Sequence, residues 1–166
     1  MLVRDSGIWR ATWIVEKWRE DGVRPYETRS AAGNLLVYGG ASALWEQLLA
    51  SGAVTAFNAA NAHLGVGDSS AAAVNTQTDL QAVTNKARRV MDGGYPAHTD
   101  GTGAASNADC EWRATFGSGT ANFAWNEAGL FNAASGGRML NRKGLTGFGT
   151  KSAGQTWSLR LIVTLA

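Results

Sequence analysis

Cysteine, proline, histidine and long apolar runs are all scarce in this chain, and each scarcity excludes something. The 166 residues contain one cysteine, Cys110, which rules out an internal disulfide and any metal site built on paired cysteines. The two histidines, His63 and His98, stand far apart, and a lone histidine is more often a satisfied structural residue than a ligand. No run of eighteen apolar residues occurs, so no helix spans a membrane. The opening residues Met1 to Asp5 lack the apolar core of a signal peptide. The expectation is a chain made and kept in a reducing cytoplasm, or one that leaves the cell by a route other than secretion. Basic residues are scattered, with a net charge of +2 and a local cluster only at Lys86, Arg88 and Arg89. That falls short of the basic stripe a nucleic-acid surface needs. Proline is held to 2 residues while glycine reaches 21, a balance that suits the turns and close backbone approaches of all-β proteins.

What is present is a globular composition, 45% apolar, rich in tryptophan with 7 residues. The stretch from Cys110 to Asn132 is the organising one. Cys110, Trp112, Ala114 and Phe116 alternate with Glu111, Arg113 and Thr115, the period of two of a half-buried strand. Gly117-Ser118-Gly119 reads as a turn, and Phe123, Trp125, Leu130 and Phe131 as a returning strand, so a hairpin is expected here. Cys110 lies on the apolar side and reads as a small buried hydrophobe rather than a nucleophile.

Elsewhere, Trp9, Ala11, Trp13 and Val15 alternate with Arg10, Thr12, Ile14 and Glu16, predicting a strand over 8–18. Glu20-Asp21-Gly22 is a turn signal, and Pro25 biases Arg24 to Thr28 toward extended chain. Residues 1–33 are therefore expected to form an extended N-terminal arm or hairpin, and residues 34–166 the domain proper. Ala41 to Ala50 carries a helical stripe of Leu44, Trp45, Leu48 and Leu49, expected to pack on a sheet, with Gly52 placed for a left-handed C-terminal residue. Asn61 to Gly67 reads as a strand ending in a turn; Gly65-Val66-Gly67-Asp68 lacks the Gly-Lys-Ser/Thr of a phosphate loop. Thr76 to Val90 reads either as a helix capped by Thr78-Asp79-Leu80 with a Leu80, Val83 and Ala87 stripe or, the favoured reading, as loop then strand from Ala87 to Met91; Asp92 to Ala108 reads as a long exposed loop. A short strand at Arg138 to Arg142 and a long one with Trp157, Leu159, Leu161, Val163 and Leu165 on one face complete the chain. Seven or eight strands with one clear helix predict a mainly β fold: a two-layer β-sandwich or jelly-roll-like domain, the helix closing an end.

Three tryptophans within ten residues exceed what one face of a small sheet needs. They read either as core aromatics or as residues packed against a neighbouring subunit. Trp9, Trp13 and Trp18, then Arg24, Tyr26 and Arg142, are the predicted interface set. Asp68, Asp79, Glu127 and His63 are candidate acids and bases, but no spacing brings them together, so no enzyme, cofactor or metal is predicted. Glu127 reads first as a buried, hydrogen-bonded carboxylate that fixes the hairpin.

The order of segments resembles small structural proteins of tailed bacteriophages. The residues that carry the likeness are Asn34-Leu35-Leu36-Val37 before a Gly-Gly helix, Leu64-Gly65-Val66-Gly67-Asp68-Ser69, Thr78-Asp79-Leu80, Ala121 to Phe131, and Met139-Leu140-Asn141-Arg142-Lys143. A Gly-X-Gly-Asp turn followed much later by Glu-X-Gly-Leu-Phe is similar to the amino-terminal domain of phage tail-fibre and tail-collar proteins. The chain departs from that pattern in having no fibrous shaft or receptor-binding head after the domain, and in adding the Trp-rich residues 8–28. These departures favour a capsid decoration (cement) protein. The resemblance implies a location in the virion, assembled in the bacterial host cytoplasm. It also implies the major capsid protein as partner, a homo-oligomer such as a trimer, and no direct contact with nucleic acid or membrane. A tail, baseplate or tail-fibre attachment protein is the alternative, with contacts to other tail proteins. A glycan-binding adhesion module is the third reading, since exposed tryptophan stacks on sugar rings and the loop from Asp92 to Ala108 offers a wall for a site.

Overall fold

The computed structural model describes residues 9–19 and 22–165. The aperiodic stretch 1–7, the strand-start residue Ile8 and the turn residues Glu20 and Asp21 lie outside them. Among the described residues, ten strands build two five-stranded antiparallel sheets. The first takes β1 (Trp9–Trp18), β2 (Glu27–Ala32), β6 (Ala97–His98), β7 (Asp109–Phe116) and β10 (Thr156–Leu165), in the order β2-β1-β10-β7-β6. The second takes β3 (Leu35–Leu36), β4 (His63–Gly67), β5 (Lys86–Val90), β8 (Glu127–Phe131) and β9 (Met139–Gly144), in the order β3-β9-β8-β4-β5. One helix, α1 (Tyr38–Leu48), completes a β-sandwich of the expected class.

Alternation decides the core. Trp13 and Val15 of β1, Trp112, Ala114 and Phe116 of β7, and Trp157, Leu159, Leu161 and Val163 of β10 all turn inward and are buried. They meet Leu64 and Val66 of β4 and Ala128 and Leu130 of β8 from the opposite sheet. Trp125 stands between Phe116 and Trp157, edge to face with each at centroid distances of 4.9 and 5.0 Å. That geometry suits the ring quadrupoles and fills the space between the layers.

The structure corrects three expectations. Of the arm or hairpin expected over 1–33, residues 9–32 form the hairpin, β1 with β2, and it is built into the first sheet rather than standing off as an arm. β1 pairs with β10 along its whole length, from Trp9 opposite Leu165 to Trp18 opposite Thr156, and with β2 on its other side. A strand with one apolar face and paired neighbours on both edges is an internal strand, so β1 is part of the sandwich. Second, β7 and β8 do not form a hairpin. β7 pairs with β10 and β6, whereas β8 pairs with β4 and β9 in the other sheet. Residues 117–126 cross between the layers and bring Trp125 edge to face with Phe116 in the core. Third, Gly65-Val66-Gly67 is not a turn but the heart of β4, a central strand buried on both faces.

The glycines of β4 have a packing reason. A Cβ at Gly65 would fall 2.8 Å from the Phe131 ring, and one at Gly67 would strike the Glu127 carboxylate and come 3.0 Å from Ala82 Cβ. Their outward face is where the loop after β4 lies down on the sheet, burying Leu80 and Ala82. Phe131, Met139, Leu80 and Val37 form a small second core under that loop.

The helix begins earlier than its stripe predicts, at Tyr38, and absorbs Gly39 and Gly40. A Cβ at Gly40 would lie 2.6 Å from Leu140 Cα, so only glycine lets α1 touch β9 there.

Candidate interaction surface

The six residues predicted for the interface do not form one patch. Trp13 is fully buried between the sheets, opposite Leu161, and belongs to the core. Arg142 is likewise fully buried. Its Nε donates to Glu127 Oε2 at 2.7 Å, and its terminal nitrogens donate to Gln77 Oε1 at 3.1 Å and the Ala71 carbonyl at 2.9 Å. Neither residue reaches a partner through its side chain, and both assignments are withdrawn. Trp9 stays half-buried at one end of the sandwich, its indole N–H donated to Asn34 Oδ1 at 2.9 Å. Trp18, at the other end of β1, is half-buried on the outer face and donates to Ser158 Oγ at 3.3 Å. Arg24 and Tyr26 are exposed in the β1–β2 connection; the Arg19 guanidinium lies 5.5 Å from the Tyr26 ring centroid.

Glu127 anchors the loop over sheet two rather than the hairpin expected of it. Its carboxylate accepts from the backbone N–H of Gln81 at 2.9 Å and of Ala82 at 2.7 Å, besides Arg142. Asp79, in the same loop, binds Lys86 and Arg88 at 2.8 Å each. Two of the segments that carry the phage resemblance thus meet in a buried clamp, Glu127 with Arg142. Both carboxylate oxygens of Glu127 are engaged by the protein itself, as expected of a buried carboxylate that holds structure. Asp68 accepts from Asn85 at 2.7 Å, and His63 Nδ1 lies 2.8 Å from the Asn61 carbonyl. The candidate acids and bases are each engaged separately. Among the described residues no cluster of three or more His, Cys, Asp and Glu is placed to hold a metal.

What sequence reasoning missed is at the end of the sandwich where β1 starts. There α1, the loop around Phe57 and the loop after β6 enclose an open cleft of about 740 Å³. Phe57, Trp112, Leu140 and Val163 form its floor, Trp9, Leu44 and Cys110 its walls. Asn58, His98, Asn107 and Asp109 stand at the rim, so the loop suspected of shaping a site does line one. Several of the rim's polar groups are already engaged, although Gln47 and Thr102 also line the cleft. Asn107 donates to the Thr99 carbonyl and accepts from the Ala104 N–H, both at 2.8 Å. Asp109 accepts from Thr164 Oγ1 at 2.6 Å, and Asn58 Oδ1 accepts from Asn61. The Trp112 indole N–H is spent on the Phe57 carbonyl at 3.0 Å. A sugar needs free donors and acceptors to replace its water; this cleft offers apolar walls instead, so it favours an apolar guest. Burial, then the charge of Glu111, pushes the Cys110 thiol up to about 11, so it stays protonated and unreactive at neutral pH.

Beside the cleft, α1 and its C-terminal end present Tyr38, Trp45, Leu48 and Leu49 to solvent, 63, 63, 73 and 69% exposed. Of the stripe read from the sequence, Leu44 packs against the core as expected while Trp45, Leu48 and Leu49 point outward; Gly40 and Ala43 are the helix's fully buried residues. By contrast, the outer face of the first sheet is a solvated ion ladder, with Arg160 bound to Glu111 at 2.6 Å and to Glu16 at 3.3 Å. Other exposed apolar side chains, Val23 in the β1–β2 connection and Val83 in the loop before β5, stand singly away from α1. No family model, no curated protein and no solved structure matches the chain, so this geometry and the motif resemblance carry the functional reading.

Proposed function

We propose that this chain is a structural protein of a tailed-bacteriophage virion, a capsid decoration protein that seats on the assembled shell and stabilises it. The observation that carries the reading is the end cleft, whose lining is mainly apolar, with Phe57, Trp112, Leu140 and Val163 as its floor, which suits an apolar segment of the major capsid protein. A ligand that binds the assembled shell and not its free subunits stabilises the shell by mass action, whatever its own chemistry. Rigid aromatic walls such as Trp9 and Trp112 gain contact area at small cost in entropy. The run of phage-like segments supports the same reading, since residues from two of its segments build the clamp that holds the second sheet's covering loop in place.

The test uses particles assembled without the chain and then mixed with purified protein. Ala104→Trp, at an exposed rim position, fills the mouth of the cleft without touching the core. Occupancy on the particles is expected to fall at least about tenfold, with an unchanged melting curve. Undiminished occupancy of that variant refutes the cleft as the docking site. Copy number separates shell from tail: on the order of hundreds per particle for a shell lattice, tens for a tail assembly.

A further inference from the structure

Most of the helix's apolar side turns outward, and in a pattern. With Ala43 and Leu44 turned toward the core, Tyr38, Ala41, Trp45 and Leu48 share the outward side of α1, spaced three, four and three, with Leu49 beside them. This is the a/d spacing of a two-helix seam, not the broader stripe of a helix lying on a sheet. At 100° per residue, the seam is centred about 120–180° from Gly40 and Ala43, the residues α1 buries against its own sandwich. Small residues bring the helix onto β9, and the seam is thereby turned out to solvent.

We infer that α1 pairs with α1 of a second copy of this chain, antiparallel across a twofold axis. The seam is self-complementary in that orientation. Position 38 meets 48 of the second copy and 41 meets 45, so Tyr38 layers on Leu48 and the small Ala41 receives the indole of Trp45. Each layer then repeats by symmetry, as an isologous interface requires. A parallel pair would set Trp45 on Trp45 and Ala41 on Ala41, one layer overfilled and one empty. Two aromatics 63% exposed and a leucine 73% exposed supply on the order of 400 Å² per copy. A standard stable interface needs about 800 Å². The pair is therefore weak on its own, with a dissociation constant of roughly tens to hundreds of micromolar, and is reinforced wherever both copies are held on one support. This twofold contact replaces the trimer implied by the phage resemblance. It does not depend on what the cleft binds.

Sedimentation of the full chain from about 1 µM to about 1 mM brackets that range. A monomer–dimer equilibrium is expected. Leu48→Glu and Tyr38→Lys, both at exposed positions, are each expected to weaken it by at least about tenfold, because a charge is buried twice per pair. Mixing the two variants is expected to restore association, since the lysine introduced in one chain faces the glutamate introduced in the other only in the antiparallel register. A wild-type chain monomeric throughout, or a dimer indifferent to both variants, overturns the proposal. A mixture that stays monomeric overturns the antiparallel register. The measurement needs no particles, so its failure leaves the shell-binding reading standing, and the reverse holds too.

Discussion

Removing one member of the Glu127–Arg142 pair is the sharpest test of how this fold is held together. Both side chains are fully shielded from solvent. Their mutual attraction is offset by the cost of desolvating each, so the intact pair is worth little net compared with apolar residues of the same size. Breaking it is another matter. Arg142→Met leaves a buried carboxylate facing the N–H groups of Gln81 and Ala82 with no counter-charge. Glu127→Leu leaves a buried guanidinium whose remaining partners, Gln77 and Ala71, are neutral, and it also strands those two N–H groups. Each single change is expected to cost about 3–5 kcal/mol, a large share of the roughly 5–15 kcal/mol a domain has. At this chain length that is a fall in melting temperature of roughly 6–20 °C. The double variant is expected to lose clearly less than the sum of the two, since no unpaired charge remains. Urea unfolding of the four proteins gives the cycle. If Arg142→Met costs under about 1 kcal/mol, or the two changes simply add, the clamp is not a coupled buried pair and the explanation of the motif residues fails.

Trp13→Ala is expected to cost about 3–5 kcal/mol in stability, or to abolish folding, whereas Trp45→Ala, at an exposed helix position, is expected to stay within about 0.5 kcal/mol of the parent; calorimetry on both separates core from surface indole. Gly40→Ala is expected to lower the melting temperature and loosen α1, seen as faster amide exchange in the helix, because the new methyl displaces Leu140. Asp79 supplies a pH signature. Burial pushes its carboxyl up, but Lys86, Arg88 and the Leu80 N–H outweigh that and hold it below its ordinary 3.8. The folded state therefore binds the proton less readily than the unfolded chain, so the contribution is present above pH 3.8 and is lost as pH falls through the lower folded value. With a side chain 41% exposed the effect is small, below about 1 kcal/mol. Asp79→Asn is expected to flatten this part of the stability profile between acid and neutral pH.

Strands were legible wherever one face is apolar and the other wet. The alternations at Trp13-Val15, Trp112-Phe116 and Trp157-Val163 encode their own burial, and from them follow the two-layer β-sandwich and its aromatic core. Local pattern also located the helix and the loop that became a wall of the cleft. It does not encode which strands are neighbours. β1 reads the same whether it is an arm or an internal strand; only the whole-length pairing with β10, some 140 residues away as in Trp18 to Ser158, made it internal. A stripe likewise says that a helix has an apolar side, not which way that side turns. The direction was settled by Gly40, whose missing Cβ admits Leu140 and seats α1 on its small residues. Arg142 is the same lesson in charge: its sequence neighbourhood suggests surface, and burial came from Glu127 and a covering loop, partners 15 and up to 71 residues distant. Periodicity is a property of neighbouring residues and can be read along the chain. Register, facing and the closure of an end arise from contacts between residues far apart, where steric fit and hydrogen-bond satisfaction choose among folds that share one local pattern.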